Sequence, residues 1–184
     1  MADPAELLAM LAEHGIDLTH IPGGWSTFSA LDVAGALGMT HLELGADLAL
    51  AKYTMSASSY RSAKAGWRMR VGDQCLSEGW VRGKPGALIA MADYTLAEWI
   101  DPMRCRTCRG ADVVIGGLKR TCPACDGTGL REASDRAISR ALGLSSSGYR
   151  NGPWPPRVAW ARAELVHIER TTMALLARYA RRSA

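Results

Sequence analysis

The sequence predicts a mainly α fold: a helical bundle, then a small hairpin carrying four cysteines, then a C-terminal helix-turn-helix. Three observations lead to this prediction. Apolar residues recur at helical spacing between glycines and prolines, four cysteines fall in two close pairs, and a Gly-containing turn separates two serine-capped segments. We therefore divide the 184 residues into a helical region (1–102), a cysteine element (103–130) and a C-terminal part (131–184).

The composition is that of a folded, soluble chain. Hydrophobic residues make up 48% and charged residues 22% of the sequence, which is close to the globular average. No apolar run approaches the roughly 18 residues that span a bilayer. The first residues, MADPAELLAMLAEHG, carry acids where a signal peptide carries basic residues. We therefore expect a cytoplasmic protein without a membrane partner.

The charges are unevenly distributed along the chain. Residues 1–100 contain 7 Lys+Arg against 11 Asp+Glu, whereas residues 101–184 contain 15 against 7. From Arg131 onward every basic residue is an arginine. A basic half of this kind indicates an anionic partner such as nucleic acid, and a solvated basic face is the alternative.

Apolar periodicity and capping residues predict the helices of the first region. They cover residues 4–14, a segment from Thr27 or Ser29 to about residue 37, and residues 41–52, 56–70 and 85–100, with one or two separate turns over 72–79. Trp67, Trp80 and Trp99 are explained as core residues that need no cofactor. Cys75, which stands alone, is expected to be a small buried hydrophobe.

The cysteine spacing predicts one closed metal site. Cys105-x2-Cys108 and Cys122-x2-Cys125 are separated by thirteen residues, and VVIGGLKR between them has the pattern of a β-hairpin. Four thiolates in two such pairs are typical of tetrahedral structural zinc, so we predict a small zinc-binding β-hairpin in which all four cysteines hold one Zn²⁺. Disulfides or free thiols are the alternative, which a reducing compartment disfavours.

Two further features of the element bear on its chemistry. Gly110 and Gly127 follow the second cysteine of each pair, where a left-handed backbone would let the chain bend around the metal. Four protein thiolates leave no position for water, which argues against catalytic zinc. The nearby basic residues would help to neutralise the site; these are Arg104, Arg106, Arg109, Lys119 and Arg120.

The stretch CPACDGTG resembles one repeat, C-x2-C-x-G-x-G, of the cysteine-rich domain of J-protein co-chaperones. That family has four such repeats and two zinc ions. Here there are two repeats, the first of which, CRTCRGAD, lacks the second glycine, and no His-Pro-Asp signature is present. The resemblance covers about 25 residues, so a co-chaperone-like zinc module explains only part of the chain.

The segment DRAISRALGLSSSGYRNG predicts a helix-turn-helix. Ser134 and Ser145–Ser147 are suited to start two helices, Gly143 to make the turn, and Gly152-Pro153 to end the second helix. The second helix of this motif enters the major groove of DNA. The predicted DNA contacts are Arg136, Arg140, Ser146, Ser147, Tyr149, Arg150, Asn151 and Arg157, with Tyr149 either stacking on the DNA backbone or facing the core. A rival segment, SALDVAGALGMTHLEL, lies in acidic surroundings and ranks lower.

The order of these elements resembles the Q antitermination proteins of lambdoid and related bacteriophages. The similarity extends from about residue 87 to residue 180 and is carried by the helix leading into CRTC, by CPACDGTG, by RAISRALGLS and by the AELVHIE segment of a long final helix that begins at Pro155-Pro156. The resemblance implies a phage late-gene factor in the cytoplasm of the bacterial host. Such a factor binds a specific DNA element, engages RNA polymerase near its sigma factor and makes the polymerase read through terminators.

The same resemblance implies a protein that is not an enzyme. The sequence has no phosphate-binding loop and no Ser/His/Asp constellation, and His14, His20, His41 and His167 are scattered. The charge asymmetry suggests that the basic half holds DNA and the acidic half holds polymerase or another copy. The alternatives are a zinc-stabilised helix-turn-helix regulator acting at initiation and the co-chaperone-like module.

Overall fold

The computed structural model describes residues 43–80, 86–109, 113–115 and 118–182. The helices predicted over 4–14 and 27–37, and three of the four histidines, lie outside these residues. The helices are α1 (Glu43–Tyr53), α2 (Ala57–Ser77), α3 (Ala87–Ile100), α4 (Asp135–Ala141), α5 (Ser146–Arg150) and α6 (Trp154–Arg182). The strands are β1 (Val113–Ile115) and β2 (Leu118–Arg120). The described part of the chain is therefore mainly helical, as predicted.

The described residues form two compact units. The first contains residues 43–80 and 160–182, and the second contains residues 86–159. This grouping differs from the three consecutive segments expected from the sequence. The reason is that most of α6 belongs with α1 and α2 rather than with the helix pair that precedes it.

In the first unit, aromatic stacking and ion pairs tie α6 to the other two helices. The rings of Trp67 and Trp160 stack with centroids 6.1 Å apart, and Trp80 meets Trp160 edge-on at 5.4 Å. Arg70 Nη2 lies 2.7 Å from Glu164 Oε1. Lys52 Nζ and the Tyr53 hydroxyl each donate to Glu169 Oε1 at 2.6 Å. A buried tryptophan and partly buried charges thus join segments about a hundred residues apart.

Helix α2 is longer than the sequence predicted. The predicted start of α2 is confirmed, since Ser56 Oγ accepts a hydrogen bond from the Ser59 N–H at 3.3 Å. It continues through Gly72 to Ser77, although an interior glycine costs a helix about 1 kcal/mol. The reason is the stripe of Ala63, Trp67, Val71 and Cys75, which recurs every four residues and is buried along its whole length. Cys75 is buried as predicted, and its S–H donates to the Trp80 carbonyl at 3.3 Å.

The second unit buries one face of α3 together with residues of the following helices. Met91, Ala92 and Leu96 are fully buried, and Thr95 is accommodated there because its hydroxyl donates to the Met91 carbonyl at 2.9 Å. Helix α3 ends at Ile100, before Asp101-Pro102, as predicted. None of the described helices combines the length and the apolar character needed to cross a membrane.

Candidate metal centre

A short ladder of backbone hydrogen bonds closes the base of the cysteine element. Arg104 and Leu130 form an antiparallel bridge. The Cys105 N–H donates to the Gly129 carbonyl and the Arg131 N–H donates to the Met103 carbonyl, both at 2.8 Å. The two chain segments that carry the cysteine pairs are therefore held side by side before any metal is considered.

The strands predicted between the pairs are present. β1 and β2 are antiparallel, with Val114 opposite Lys119 and Ile115 opposite Leu118. The Gly-Gly turn itself lies outside the described residues. A lone two-stranded ladder is only marginally stable in water, so this part of the chain needs another source of stability.

Each cysteine pair is shaped by a tight turn. The Arg109 N–H donates to the Cys105 carbonyl at 2.7 Å, and the Gly127 N–H donates to the Cys122 carbonyl at 3.3 Å. The backbone is left-handed at Arg109, Asp126, Gly127 and Gly129, with φ of 54°, 48°, 81° and 70°. The conformation expected at Gly127 is confirmed, whereas Gly110 lies outside the described residues.

The two turns bring the four predicted ligands together. The Sγ atoms of Cys105, Cys108, Cys122 and Cys125 all lie within 4.8 Å of one another, and those of Cys108 and Cys125 are 3.7 Å apart. A tetrahedral site with Zn–S bonds of about 2.3 Å has S···S edges of about 3.8 Å. The sulfur atoms are therefore spaced as the ligands of a single metal ion would be.

Backbone hydrogen bonds favour the thiolate form of one member of the cluster, Cys105. Hydrogen bonds from the backbone of Cys108 and of Thr107 lower the pKa of the Cys105 thiol from 9.0 to about 6, against a desolvation effect that raises it. The Gly129 N–H donates to Cys125 Sγ at 3.3 Å. Sequence reasoning did not assign this role to Gly129, although the glycine is visible in CPACDGTG. Amide donors of this kind orient and support metal-bound sulfur.

The cluster is enclosed on one side. Cys105 and Cys122 are buried, with 4% and 3% of their surface exposed, while Cys108 and Cys125 are half-buried. Four sulfur ligands complete a tetrahedral coordination shell, so the arrangement can hold one metal ion in a structural role. Arg104, Arg106 and Arg109, which alternate with the first cysteine pair along the chain, are exposed.

A pair of short helices follows the cysteine element. Ser134 Oγ accepts from the Ala137 N–H at 3.3 Å and Ser145 Oγ accepts from the Gly148 N–H at 3.0 Å, so both predicted caps are confirmed. Gly143 has φ of 67° in the turn between α4 and α5. The Leu144 N–H donates to the Ser139 carbonyl at 2.8 Å, which fixes the turn against α4.

The predicted DNA-contacting residues divide into exposed and buried groups. The exposed ones are Arg136, Arg140, Ser147, Arg150 and Asn151, and Ser146 is half-buried. Tyr149 is only 3% exposed, so of its two expected positions it takes the one in the core. Arg157 is 7% exposed, and its guanidinium carbon lies 5.3 Å from the centre of the Trp154 ring. We therefore assign Tyr149 and Arg157 to packing within the unit.

Comparison with known proteins yields no relative: no protein-family model matches the chain, and no curated protein and no solved structure is significantly similar to it.

Proposed function

We propose that this chain is a transcription antitermination factor of the Q type, which binds a specific duplex DNA element through α4 and α5 and then engages RNA polymerase. The observation that carries the proposal is the exposure of Arg136, Arg140 and Arg150 on this helix pair, next to a four-cysteine metal centre. The antitermination role itself rests on the resemblance to the Q proteins described above.

The exposed side chains of the helix pair have the chemistry of a DNA-reading surface. Arg136 and Arg140 are one helical turn apart on α4 and are suited to contact phosphates. Arg150 and Asn151 stand at the end of α5. Their side chains are of the types that bind guanine and adenine edges bidentately in the major groove. Ser147 adds a hydroxyl on the same short helix.

Zinc is the metal that we propose for the four-cysteine cluster, and its role is to position the helix pair. Only residues 131–134 separate the ladder at the base of the cluster from the start of α4. Metal binding would supply folding free energy that the three-residue strands cannot. A rigid base would then fix the direction in which the chain enters α4.

Binding is tested by selecting sequences from a random duplex pool with the full-length, zinc-loaded protein and measuring affinity against salt concentration. A specific sequence should emerge, and Arg136→Ala, Arg140→Ala and Arg150→Ala should each weaken binding. For a phosphate contact, the slope of log affinity against log salt should fall by about 0.9. Arg170→Ala is the matched control, because it removes one exposed arginine from the part of α6 that belongs to the first unit. Equal effects of all four substitutions would reject α4 and α5 as the DNA-binding surface.

Antitermination is tested separately, with purified bacterial RNA polymerase on a template that carries the selected element upstream of a terminator. Readthrough that requires both the element and the protein supports the proposal. A change in initiation without readthrough would instead assign the chain to the helix-turn-helix regulators. Absence of specific duplex binding, together with binding of unfolded polypeptide, would assign it to the co-chaperone-like modules.

A further inference from the structure

Helix α2 presents a regular apolar stripe to solvent on the side opposite its buried face. The stripe consists of Ala65, Met69, Gly72 and Leu76, all of them exposed, with Met69 at 70% and Leu76 at 73%. Together these four residues are called the α2 stripe below. Their spacing of four, three and four residues is the spacing of the a and d positions in a coiled coil.

Exposure of this stripe contrasts with the rest of the helix. The buried face of Ala63, Trp67, Val71 and Cys75 already satisfies the packing of α2 in its own unit. Among the described residues, no heavy atom lies within 4 Å of the position that a Cβ on Gly72 would take. The α2 stripe thus alternates two large side chains with two small residues. None of the four has a packing role in the described part of the chain.

The charged residues on either side of the α2 stripe indicate which partner could pack against it. At 100° per residue, Arg61 and Arg68 lie along one edge of the α2 stripe, and Asp73 lies along the other. Two copies of α2 packed in parallel would place the Arg68 edge of each copy against the Asp73 edge of its partner, as e and g positions meet in a parallel coiled coil. An antiparallel pair would set arginine edges against each other.

We propose that the α2 stripe is a self-association surface through which two copies of this chain pair by parallel packing of α2. Met69 and Leu76 form the large layers of the seam, and Ala65 and Gly72 form small layers that let the helices approach closely. Residues 65–76 extend over only about 16 Å of helix. The area buried between two copies is therefore small for a specific complex, and the dimer is weak and reversible. The proposal does not depend on DNA binding.

The first test is sedimentation equilibrium of the full-length, zinc-loaded protein over a range of concentrations around the micromolar. The average mass should rise from one chain toward two. Gly72→Gln should raise the dissociation constant about tenfold or more, because its side chain would collide with the partner. Among the described residues, a Cβ at position 72 has no heavy atom within 4 Å, and circular dichroism of the variant checks that its fold is retained. Ser77→Gln, exposed at the side of the stripe, is the matched control and should leave the dimer intact.

The orientation is tested by cross-linking. Under mild oxidation Ala65→Cys should form a disulfide between copies, because parallel packing places position 65 opposite itself, whereas Ser77→Cys should not. Arg68→Asp and Asp73→Arg should each weaken association alone, and their equimolar mixture should restore it. A single-chain mass at every concentration, or a dimer unaffected by Gly72→Gln, would overturn the proposal, and failure of the Ala65→Cys cross-link would overturn the parallel orientation.

Discussion

The sulfur atoms of Cys108 and Cys125 lie 3.7 Å apart although the two residues are seventeen positions apart in the chain. This distance matches the edge of a zinc–thiolate tetrahedron, and two tight turns and one short ladder produce it. Cys108 and Cys125 are the half-buried members of the cluster, so a metal ion would be reached from their side.

Metal analysis should find one zinc ion per chain. Removing one of four ligands leaves an incomplete shell, so Cys108→Ser should reduce the zinc content to well below one per chain. The element should also become more sensitive to proteolysis without metal, because metal binding adds folding free energy to small structural zinc sites. Cys75→Ser is the control, since Cys75 is buried in the other unit and its loss should leave the zinc content at one. A full zinc content in Cys108→Ser would reject the four-cysteine site.

The stability of the metal-free protein should depend on pH through Cys105. Its pKa is about 6 in the folded chain, against the ordinary value of 9.0, because backbone hydrogen bonds from Cys108 and Thr107 favour the thiolate. The folded state therefore binds fewer protons than the unfolded state between these two values. The contribution of Cys105 to the free energy of unfolding is complete above pH 9, and it is lost as pH falls toward 6.

This dependence is measured by urea unfolding of the chelator-treated protein at several pH values. The free energy of unfolding should rise with pH between 6 and 9, and Cys105→Ser should flatten the rise. If the variant and the parent chain show the same slope over this range, the hydrogen-bonded Cys105 thiolate is not its source.

Gly152 should not tolerate a side chain. A Cβ at this position would lie 2.5 Å from the Gly148 carbonyl oxygen and 3.1 Å from Cδ1 of the Trp154 ring. Both neighbours are fixed, one as helix backbone and the other as a buried side chain, so Gly152→Ala should cost about 1–3 kcal/mol. Because Gly152 lies next to the last turn of α5, the same change should weaken DNA binding if α5 contacts DNA.

Thermal and chemical unfolding followed by circular dichroism test this prediction. Gly72→Ala is the matched control at protein concentrations too low for copies to associate, because within one chain its Cβ would meet no heavy atom within 4 Å among the described residues and the substitution removes an interior helix glycine. It should stabilise the protein by about 1 kcal/mol. Equal effects of the two substitutions would show that the close approach of Gly152 to Gly148 does not constrain the chain.

Features set by neighbouring residues were predictable from the sequence. The caps at Ser56, Ser134 and Ser145 depend on residues within three positions, and the turn at Gly143 depends on one glycine. The four-cysteine cluster was predictable for a similar reason, because each x2 pair makes its own turn and VVIGGLKR has a strand pattern on both sides of a turn.

Long-range packing was not predictable in the same way. The length of α2 was underestimated because Gly72 weakens the local helix signal, whereas burial of Val71 and Cys75 carries the helix past it. The two compact units also differ from the three consecutive segments expected from the sequence. Local signals do not reveal that Glu164 meets Arg70 across ninety-four residues, and this contact places most of α6 with α1 and α2.

The sequence by itself thus determined the helix starts, the turns and the four candidate metal ligands, since these depend on short-range hydrogen bonding and on cysteine spacing. Only the tertiary structure decided which of the predicted DNA-contacting side chains face solvent. Tyr149 and Arg157 have the chemistry of DNA contacts but are buried, with Arg157 over the Trp154 ring, while Arg136, Arg140 and Arg150 remain exposed. Burial is set by what packs against a residue, and short helices such as α4 and α5 contain too few turns for periodicity to indicate it.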